Sequence, residues 1–193
     1  MSILEVGKIA LVPLQETDLQ AVYELNMDYD ICSGAGFWTD MPTYEAFLGW
    51  MGPFLKEVNK EKYHFAIVPR STVENGCVGG SRFVCGVVSA FNVNDFHKTA
   101  YVGIRIRKTL QKQGYATTAM KALLWYLCKI RGMRKVYAEV YDNNEPSQKL
   151  FQKLGFVEEA RLQKHEFHLG EYRDVIIYSK YGVDVDSPWE GEE

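Results

Sequence analysis

The sequence lacks a long apolar run, a paired cysteine motif and a metal-ligand spacing. No uncharged apolar stretch approaches the roughly 20 residues that a membrane-spanning helix needs. The N-terminal apolar run IALVPL is too short for the core of a signal peptide. No CxxC pair occurs among the cysteines, and the four histidines do not supply closely spaced zinc ligands. We therefore expect a cytoplasmic protein with no metal and with four reduced cysteines, namely Cys32, Cys77, Cys85 and Cys128.

The composition is that of a folded chain with one core. Hydrophobic residues make up 47% and aromatic residues 13% of the 193 residues, which excludes a disordered chain. The 16 glycines and 6 prolines are close to average usage, so collagen-like and low-complexity classes are excluded as well. The length fills one hydrophobic core and is too short for two ordinary domains.

Acidic residues are missing from one long segment of the chain. Ten Lys and Arg and no Asp or Glu occur from Lys98 to Lys135, so the remainder carries 12 − 25 = −13 charges. Residues 1–60 hold nine acidic and three basic side chains. This segregation favours a polyanion at one surface and a cation at another. Because no zinc-finger, RNP or helix-turn-helix pattern is present, a small phosphorylated ligand is favoured over nucleic acid, with a solvated helix face as the plain alternative.

Hydrophobic periodicity predicts a single mixed α/β sheet domain over residues 1–181 and a loose acidic tail at 182–193. The clearest helix follows residue 115, because six apolar residues recur on one face and Gly132 can end it. The predicted strands are 9–14, 63–68, 83–93, 99–106, 135–141, 157–169 and 172–181. The predicted helices are 16–27, 43 to a break at Pro53, 116–130 and 144–154, with loops at 28–42 and 69–81.

A phosphate site is predicted where the strand Val102–Ile106 leads into the long helix. Gly114 allows a ligand to approach the backbone, and Ala116 is small enough for a ligand to lie against the first turn. The N–H groups of residues 113–117 have no partner within the helix and attract anions. No acidic residue occupies this turn, and the segment is neither a Walker loop nor a dinucleotide fingerprint.

Three segments resemble one known superfamily. The stretch QKQGYA at 111–116 resembles the (R/Q)xxGx(G/A) acetyl-CoA loop of the GNAT N-acetyltransferases. NEPS at 144–147 and LFQKLGF at 150–156 resemble the NxxS and KLGF segments of that superfamily. The ending GEYRDV at 170–175 is similar to the final hairpin of the branch that acetylates ribosomal-protein N-termini, which also contains spermidine and aminoglycoside acetyltransferases.

The resemblance implies a single-domain α/β (α+β) GNAT fold, with a mostly antiparallel sheet splayed at two central parallel strands and flanked by helices. It also implies an acetyl-CoA-dependent N-acetyltransferase that binds acetyl-CoA between the strands of Ile104–Ile106 and Tyr137–Tyr141. An amine would attack the thioester directly in a ternary complex. The cofactor-binding residues so implied are Ile104, Ile106, Gln111, Lys112, Gln113, Gly114, Ala116, Thr117, Asn144 and Lys153. Each role has a plain alternative. The two isoleucines would only pack in the core, Asn144 would only cap a helix, and Lys112 would be a solvated charge.

The sequence departs from the family at two catalytic positions. Phe151 stands where many members have a tyrosine that protonates the leaving thiolate, and Tyr101 stands where a glutamate is often found. Ser147, Tyr141 or water is then the expected proton donor. Strand alternation puts Glu139 on one face with Tyr141, which makes it a candidate base. Other candidate bases are Asp95, His97 and water relayed through them. The alternative for Glu139 is an exposed strand carboxylate without a catalytic role. We expect His165 and His168 to lie at the surface or at the rim of the substrate site.

The acidic N-terminal third bears on the acceptor. In the GNAT superfamily the first two helices and their loop line the acceptor side, where Asp28, Asp30 and Trp38 could receive a cationic amine by charge and aromatic contact. A polyamine, an aminoglycoside or a peptide N-terminus fits, and neither nucleic acid nor a membrane is expected as a partner. A monomer or a homodimer is expected. The alternative function is a catalytically silent CoA-binding sensor or partner module.

Overall fold

An eight-stranded sheet forms the centre of the structure, a computed structural model that describes residues 4–32, 42–56, 62–74 and 82–189. The strands are β1 Leu4–Val6, β2 Ile9–Pro13, β3 Tyr63–Pro69, β4 Gly86–Asn94, β5 Thr99–Ile106, β6 Lys135–Tyr141, β7 Val157–His168 and β8 Glu171–Tyr181. They lie in the order β1-β2-β3-β4-β5-β6-β8-β7. β5 and β6 run parallel, and the other neighbouring strands run antiparallel. The predicted mixed, mostly antiparallel sheet is confirmed.

Helices cover both sides of the sheet. They are α1 Leu19–Met27, α2 Tyr29–Cys32, α3 Tyr44–Lys56, α4 Arg70–Glu74, α5 Tyr115–Trp125 and α6 Glu145–Lys153. Apolar residues of α5 and α6 pack in one core cluster, and those of α1, α2 and α3 pack in a second. We call these two sides of the sheet the α5 face and the α1 face. None of the helices in the described ranges is both long and apolar enough to span a membrane.

The long helix after β5 forms as its apolar pattern predicts. Ala119, Met120, Leu123 and Leu127 are fully buried, so one stripe of the helix faces the sheet. Its last turn, Tyr126–Ile130, widens to π-helical hydrogen bonding before the chain turns at Gly132. The helix therefore directs its N-terminus toward the end of β5.

The predicted break at Pro53 is wrong, because α3 continues through the proline to Lys56. Proline removes one backbone donor and crowds the carbonyl four residues earlier, which here belongs to Gly49. Both residues are exposed, so water can satisfy that carbonyl. Phe47 and Met51 are buried on the opposite side and hold the helix against the sheet.

Three further differences from the predicted elements are local. β1 was not predicted because three residues carry no readable period, and α4 replaces part of the loop predicted at 69–81. The loop predicted at 28–42 begins with the short helix α2, and residues 33–41 lie outside the described ranges.

The prediction of a loose tail is wrong for the residues up to 189. Val185 is buried in the core, and the Trp189 ring packs edge-on against Trp125 with centroids 4.8 Å apart. The Trp189 indole N–H also donates to the backbone carbonyl of Glu5 at 2.6 Å. The contacts of Val185 and Trp189 therefore hold this segment against the domain although it is rich in acidic residues.

Candidate active site

The two central strands separate shortly after they meet. β5 and β6 pair only at Thr99–Tyr101 with Lys135–Tyr137, although both strands continue beyond that point. β5 stays paired with β4 and β6 with β8 along the rest of their lengths. The facing edges of the two strands therefore open into a V, which we call the cleft. An extended ligand can bind such an edge as an added strand does.

Backbone direction on β5 supports the predicted contacts with that ligand. The Arg107 N–H donates to the Cys85 carbonyl, on the β4 side, at 2.9 Å. Backbone groups alternate sides along a strand, so the N–H groups of Ile104 and Ile106 face the cleft. The Ile106 carbonyl accepts the side-chain amide of Gln111 at 3.2 Å, so it bonds to the following loop.

The start of α5 lies at the mouth of the cleft. Gly114 adopts φ +87° there, in the left-handed region that favours glycine, and no side chain caps the helix. The first backbone N–H groups of α5 are therefore available to an anion, as the sequence predicts. Gln113 donates its side-chain amide to the Thr109 carbonyl at 2.8 Å and so braces the loop.

Lys8 adds a cation to this loop that sequence reasoning missed. Its ammonium donates to the Gln113 carbonyl at 2.8 Å and lies 4.2 Å from the centre of the Tyr115 ring. Lys8 is 105 residues away in sequence, in the β1–β2 turn, so no local pattern could have indicated it. Lys112 and Lys153 are exposed, the first in the loop and the second at the end of α6.

The start of α6 closes the other side of the cleft mouth. Asn144 caps that helix, with its side-chain oxygen accepting the Ser147 N–H at 3.2 Å. Gln148 donates its amide to the carbonyls of Tyr141 and Asp142, at 3.1 and 2.8 Å. The cap predicted as the plain alternative for Asn144 is therefore present, and the Gln148 side chain fixes α6 to the end of β6.

One face of β6 presents polar groups beside the cleft. Tyr137, Glu139 and Tyr141 share the α1 face, while Val136, Ala138 and Val140 are buried on the other, so the predicted alternation is confirmed. The Tyr101 ring stacks on Tyr137 and on Phe91, with centroid distances of 5.2 and 6.0 Å. We call Phe91, Tyr101 and Tyr137 the aromatic row.

Glu139 has the electrostatic setting of a base. Its side chain is exposed, as the alternative of a strand carboxylate predicts, but partial desolvation still raises the pKa of its carboxyl above the ordinary value, and the negative charge of Glu166 raises it further. The pKa of Tyr101 is also raised, by burial first and then by the Glu139 charge. A carboxylate with a raised pKa accepts a proton more readily near neutral pH.

A family model described as Acetyltransferase (GNAT) domain matches residues 8–157 of this chain. The chain belongs to the GNAT acetyltransferase family. Spermidine N(1)-acetyltransferase of Vibrio cholerae is 30% identical over 179 residues, which cover 91% of this chain and 96% of that relative. The Escherichia coli spermidine N(1)-acetyltransferase is 31% identical over 169 residues, which cover 87% and 83%. The protein is an acetyl-CoA-dependent N-acetyltransferase.

A solved structure shares the fold. The crystal structure of spermidine N-acetyltransferase from Vibrio cholerae, in complex with CoA and spermine, superposes with a TM-score of 0.80 at 22% identity. The match covers 92% of this chain and 98% of that chain. The predicted GNAT fold is thereby confirmed.

At the position of the GNAT tyrosine, Phe151 is a core residue. Its side chain is 4% exposed and packs against Phe156 and Tyr178, with ring centroids 5.1 and 6.4 Å away. The ring therefore contributes to packing and offers no hydroxyl. Ser147, one turn earlier on α6, is half-buried at the cleft mouth.

Tyr141 is a poor source of a proton in this GNAT site. Its hydroxyl donates to the Glu166 carboxylate at 2.5 Å, and its ring stacks on His168 with centroids 4.4 Å apart. Burial, followed by the bond to Glu166, raises the pKa of the Tyr141 hydroxyl. Sequence reasoning missed Glu166, because 25 residues separate it from Tyr141.

The alternative bases do not lie at the cleft. Asp95 and His97 lie in the β4–β5 hairpin, at the closed end of the β5–β6 pair. The Asp95 carboxylate there contacts Lys98 at 3.3 Å and Arg131 at 3.6 Å. Of the three side chains predicted as candidate bases, Glu139 is therefore the one that lies beside the cleft, and relayed water stays an alternative.

Of the acceptor residues predicted in the N-terminal third, the structure describes the side chain of Asp28. Asp28 lines a small cavity of about 150 Å³ between α1–α2 and the segment after β5, with Glu24 and Arg107 on its other walls. The side chain of Asp30 and all of Trp38 lie outside the described residues. Within those residues no group of three or more metal-ligating side chains is found.

Partly buried polar pairs lie on the α1 face, the same face as Glu139. Arg105 of β5 donates to the side-chain oxygen of Asn26 on α1. His64 and Ser89, on neighbouring strands, share a hydrogen bond of 2.7 Å. Burial, together with the positive charges of Arg105 and Lys62, lowers the pKa of His64 to about 4, so its ring is neutral at pH 7.

Proposed function

We propose that this N-acetyltransferase acetylates a primary amine of a cationic polyamine by direct attack on acetyl-CoA in a ternary complex. The single observation that carries the proposal is the position of Glu139, beside the aromatic row at the edge of the open cleft. Carboxylates and aromatic faces both attract ammonium groups. The two spermidine acetyltransferase relatives favour the same acceptor class.

Acetyl-CoA would bind along β5 and across the start of α5. The cleft-facing backbone of Ile104 and Ile106 would pair with the pantetheine arm. The N–H groups of Gln113, Gly114, Ala116 and Thr117 would hold the pyrophosphate, with Gln111, Lys112 and Lys8 beside it. Asn144 would reach the pantetheine arm and Lys153 the nucleotide phosphate.

The reaction requires a neutral amine, because a primary amine is mostly protonated at pH 7. Glu139 would take one amine proton, and the nitrogen would then form its bond to the thioester carbon. One of the two cleft-facing N–H groups, of Ile104 or Ile106, would stabilise the negative charge on the thioester oxygen, while the other pairs with the pantetheine arm. The bonded nitrogen would then lose its second proton to water. When the carbon–sulfur bond breaks, the CoA thiolate would take a proton from water, directly or through the Ser147 hydroxyl, which regains its own proton from that water. Tyr141 is disfavoured in that role, since its proton is donated to Glu166.

Calorimetric titration with acetyl-CoA, followed by a free-thiol release assay, tests the proposal. The assay panel holds spermidine, kanamycin and short peptides with free N-termini. Thiol release with spermidine supports the proposal. Release only with kanamycin or only with a peptide would contradict it and would identify that amine as the acceptor. Because Phe151 is a buried phenylalanine where many family members have a tyrosine, a second candidate function is a CoA-binding module without catalysis. Tight acetyl-CoA binding with no thiol release on any amine is the outcome expected of that module.

A further inference from the structure

The outermost strand of the sheet carries an irregularity close to the acceptor end of the cleft. Leu162 of β7 pairs with Val175 of β8, and Glu166 pairs with Arg173, so four steps on β7 match two on β8. Lys164, inside the bulge, has φ +46°, and its N–H donates to the Asp174 carboxylate at 2.9 Å. Bulges bend a strand and redirect its side chains, often next to active sites.

The redirected side chain is Glu166. β7 and β6 are not neighbours, because β8 lies between them. Glu166 nevertheless reaches over β8 to accept the Tyr141 hydroxyl at 2.5 Å. His168 stacks on the same tyrosine. The bulge thus brings a carboxylate of the outermost strand to the polar face of β6.

Glu166 and Glu139 are two carboxylates on one wall. Tyr141 and Glu139 are two residues apart on the same strand face, which corresponds to about 7 Å along β6. Arg173, the residue opposite Glu166 in register, directs its guanidinium to Glu171 at 3.0 Å. Two like charges on one wall repel each other, and a ligand with two ammonium groups removes that repulsion.

We propose that Glu166 is a specificity-determining residue that binds the second ammonium group of a diamine or polyamine while the reacting nitrogen lies at Glu139. This inference rests on the proposed polyamine acetylation. Tyr141 would be a positioning residue, because it holds the Glu166 carboxylate in place. The arrangement would favour acceptors with two nitrogens over monoamines of the same length.

Butane-1,4-diamine and butylamine test this inference, because they differ only by the second amine. Glu166→Gln should raise KM for spermidine and for the diamine at least tenfold, with kcat changing less than threefold. The preference for the diamine over butylamine, as kcat/KM, should fall by a similar factor. Glu158→Gln is the matched control, since Glu158 lies exposed on the same strand and pairs with Arg161. It should leave all of these values unchanged.

Failure of this inference can be separated from failure of the proposed function. If the wild-type protein acetylates spermidine and Glu166→Gln does so with the same KM, Glu166 does not bind the acceptor. If the wild-type protein acetylates no amine, calorimetric titration of the CoA-loaded protein with spermidine decides. Equal affinities of the wild type and Glu166→Gln, or no spermidine binding by either, would overturn the inference. Tyr141→Phe should raise KM less than Glu166→Gln, because it loosens the carboxylate and keeps its charge.

Discussion

The two faces of the sheet differ in the polarity of the side chains that they bury. The α5 face buries an apolar cluster from α5, α6 and the central strands. Among the described residues, the buried polar and charged side chains lie on the α1 side of the sheet, namely Asp18 with its partner Arg82, Asn26, Ser89, Lys135 and Ser179. A cofactor held by backbone groups needs only a correctly placed strand edge and helix start. The elements of the α5 face that position this backbone can therefore pack through apolar side chains alone. An acceptor must be recognised by side chains, which need polar support.

The ion pair of Asp18 and Arg82 offers the most severe test of this contrast. Both side chains are fully buried, and Arg82 donates to both oxygens of Asp18, at 2.9 and 2.6 Å. Arg82→Met leaves a buried carboxylate without its cation, which costs about 3–5 kcal/mol of the free energy of unfolding. Urea denaturation measures this loss.

Arg161→Met is the control, because Arg161 is exposed and its ion pairs with Glu158 and Asp174 lie at the surface, so its loss should change the free energy of unfolding little. If both variants lost the same free energy of unfolding, the ion pair on the α1 face would contribute no more to stability than an ion pair at the protein surface.

Replacement of Glu139 tests the chemistry of the same face. Glu139→Gln removes the proposed base and should lower kcat about 100-fold or more. The affinity for acetyl-CoA should not change, since the cofactor would be held from β5 and α5. The base must be ionised, so kcat/KM should fall as pH drops through the raised pKa of Glu139, above the ordinary glutamate value of about 4.3. Full activity in the variant would return Glu139 to the role of an exposed strand carboxylate.

On the cofactor side, local sequence patterns predicted the start of α5 and the alternation on β6. The α5 helix, the glycine at its start and the alternation on β6 all depend on residues within a few positions of one another. Such features follow from periodicity and from the geometry of helix termini. The splay itself required the family resemblance, because no local pattern says where two strands stop pairing.

The acceptor side could not be assembled from local patterns. Glu166 reaches Tyr141 only because a bulge redirects it across β8, and His64 meets Ser89 only through strand pairing. Both contacts depend on register and topology, which single-residue patterns do not encode. Sequence reasoning therefore assigned His165 and His168 to the rim but did not see the carboxylate between them.

The half-buried His64 makes the α1 face sensitive to pH. In the unfolded chain His64 takes up a proton near pH 6.5, whereas its pKa in the folded protein is about 4. The unfolded state therefore gains protons first as pH falls, and the loss of stability from this group reaches about 2 kcal/mol at pH 5. His64→Gln should lose less stability than the wild type between pH 8 and pH 5 in urea titrations. His97→Gln, which changes an exposed hairpin residue, should follow the wild type; identical pH curves for all three proteins would contradict the role of His64.

The smallest expected effect distinguishes cofactor binding from folding at α5. Gly114 and Gly132 flank this helix and its π-helical turn, with φ of +87° and +69°, and a Cβ at either would meet open space. Alanine at either position should therefore cost a similar free energy of unfolding, about 1 kcal/mol, from backbone strain alone. Gly114→Ala should also weaken acetyl-CoA binding about tenfold in calorimetry, because it shifts the N–H groups that would hold the pyrophosphate, whereas Gly132→Ala should bind like the wild type. Equal affinities of the two variants would show that the α5 start does not carry the phosphate contact.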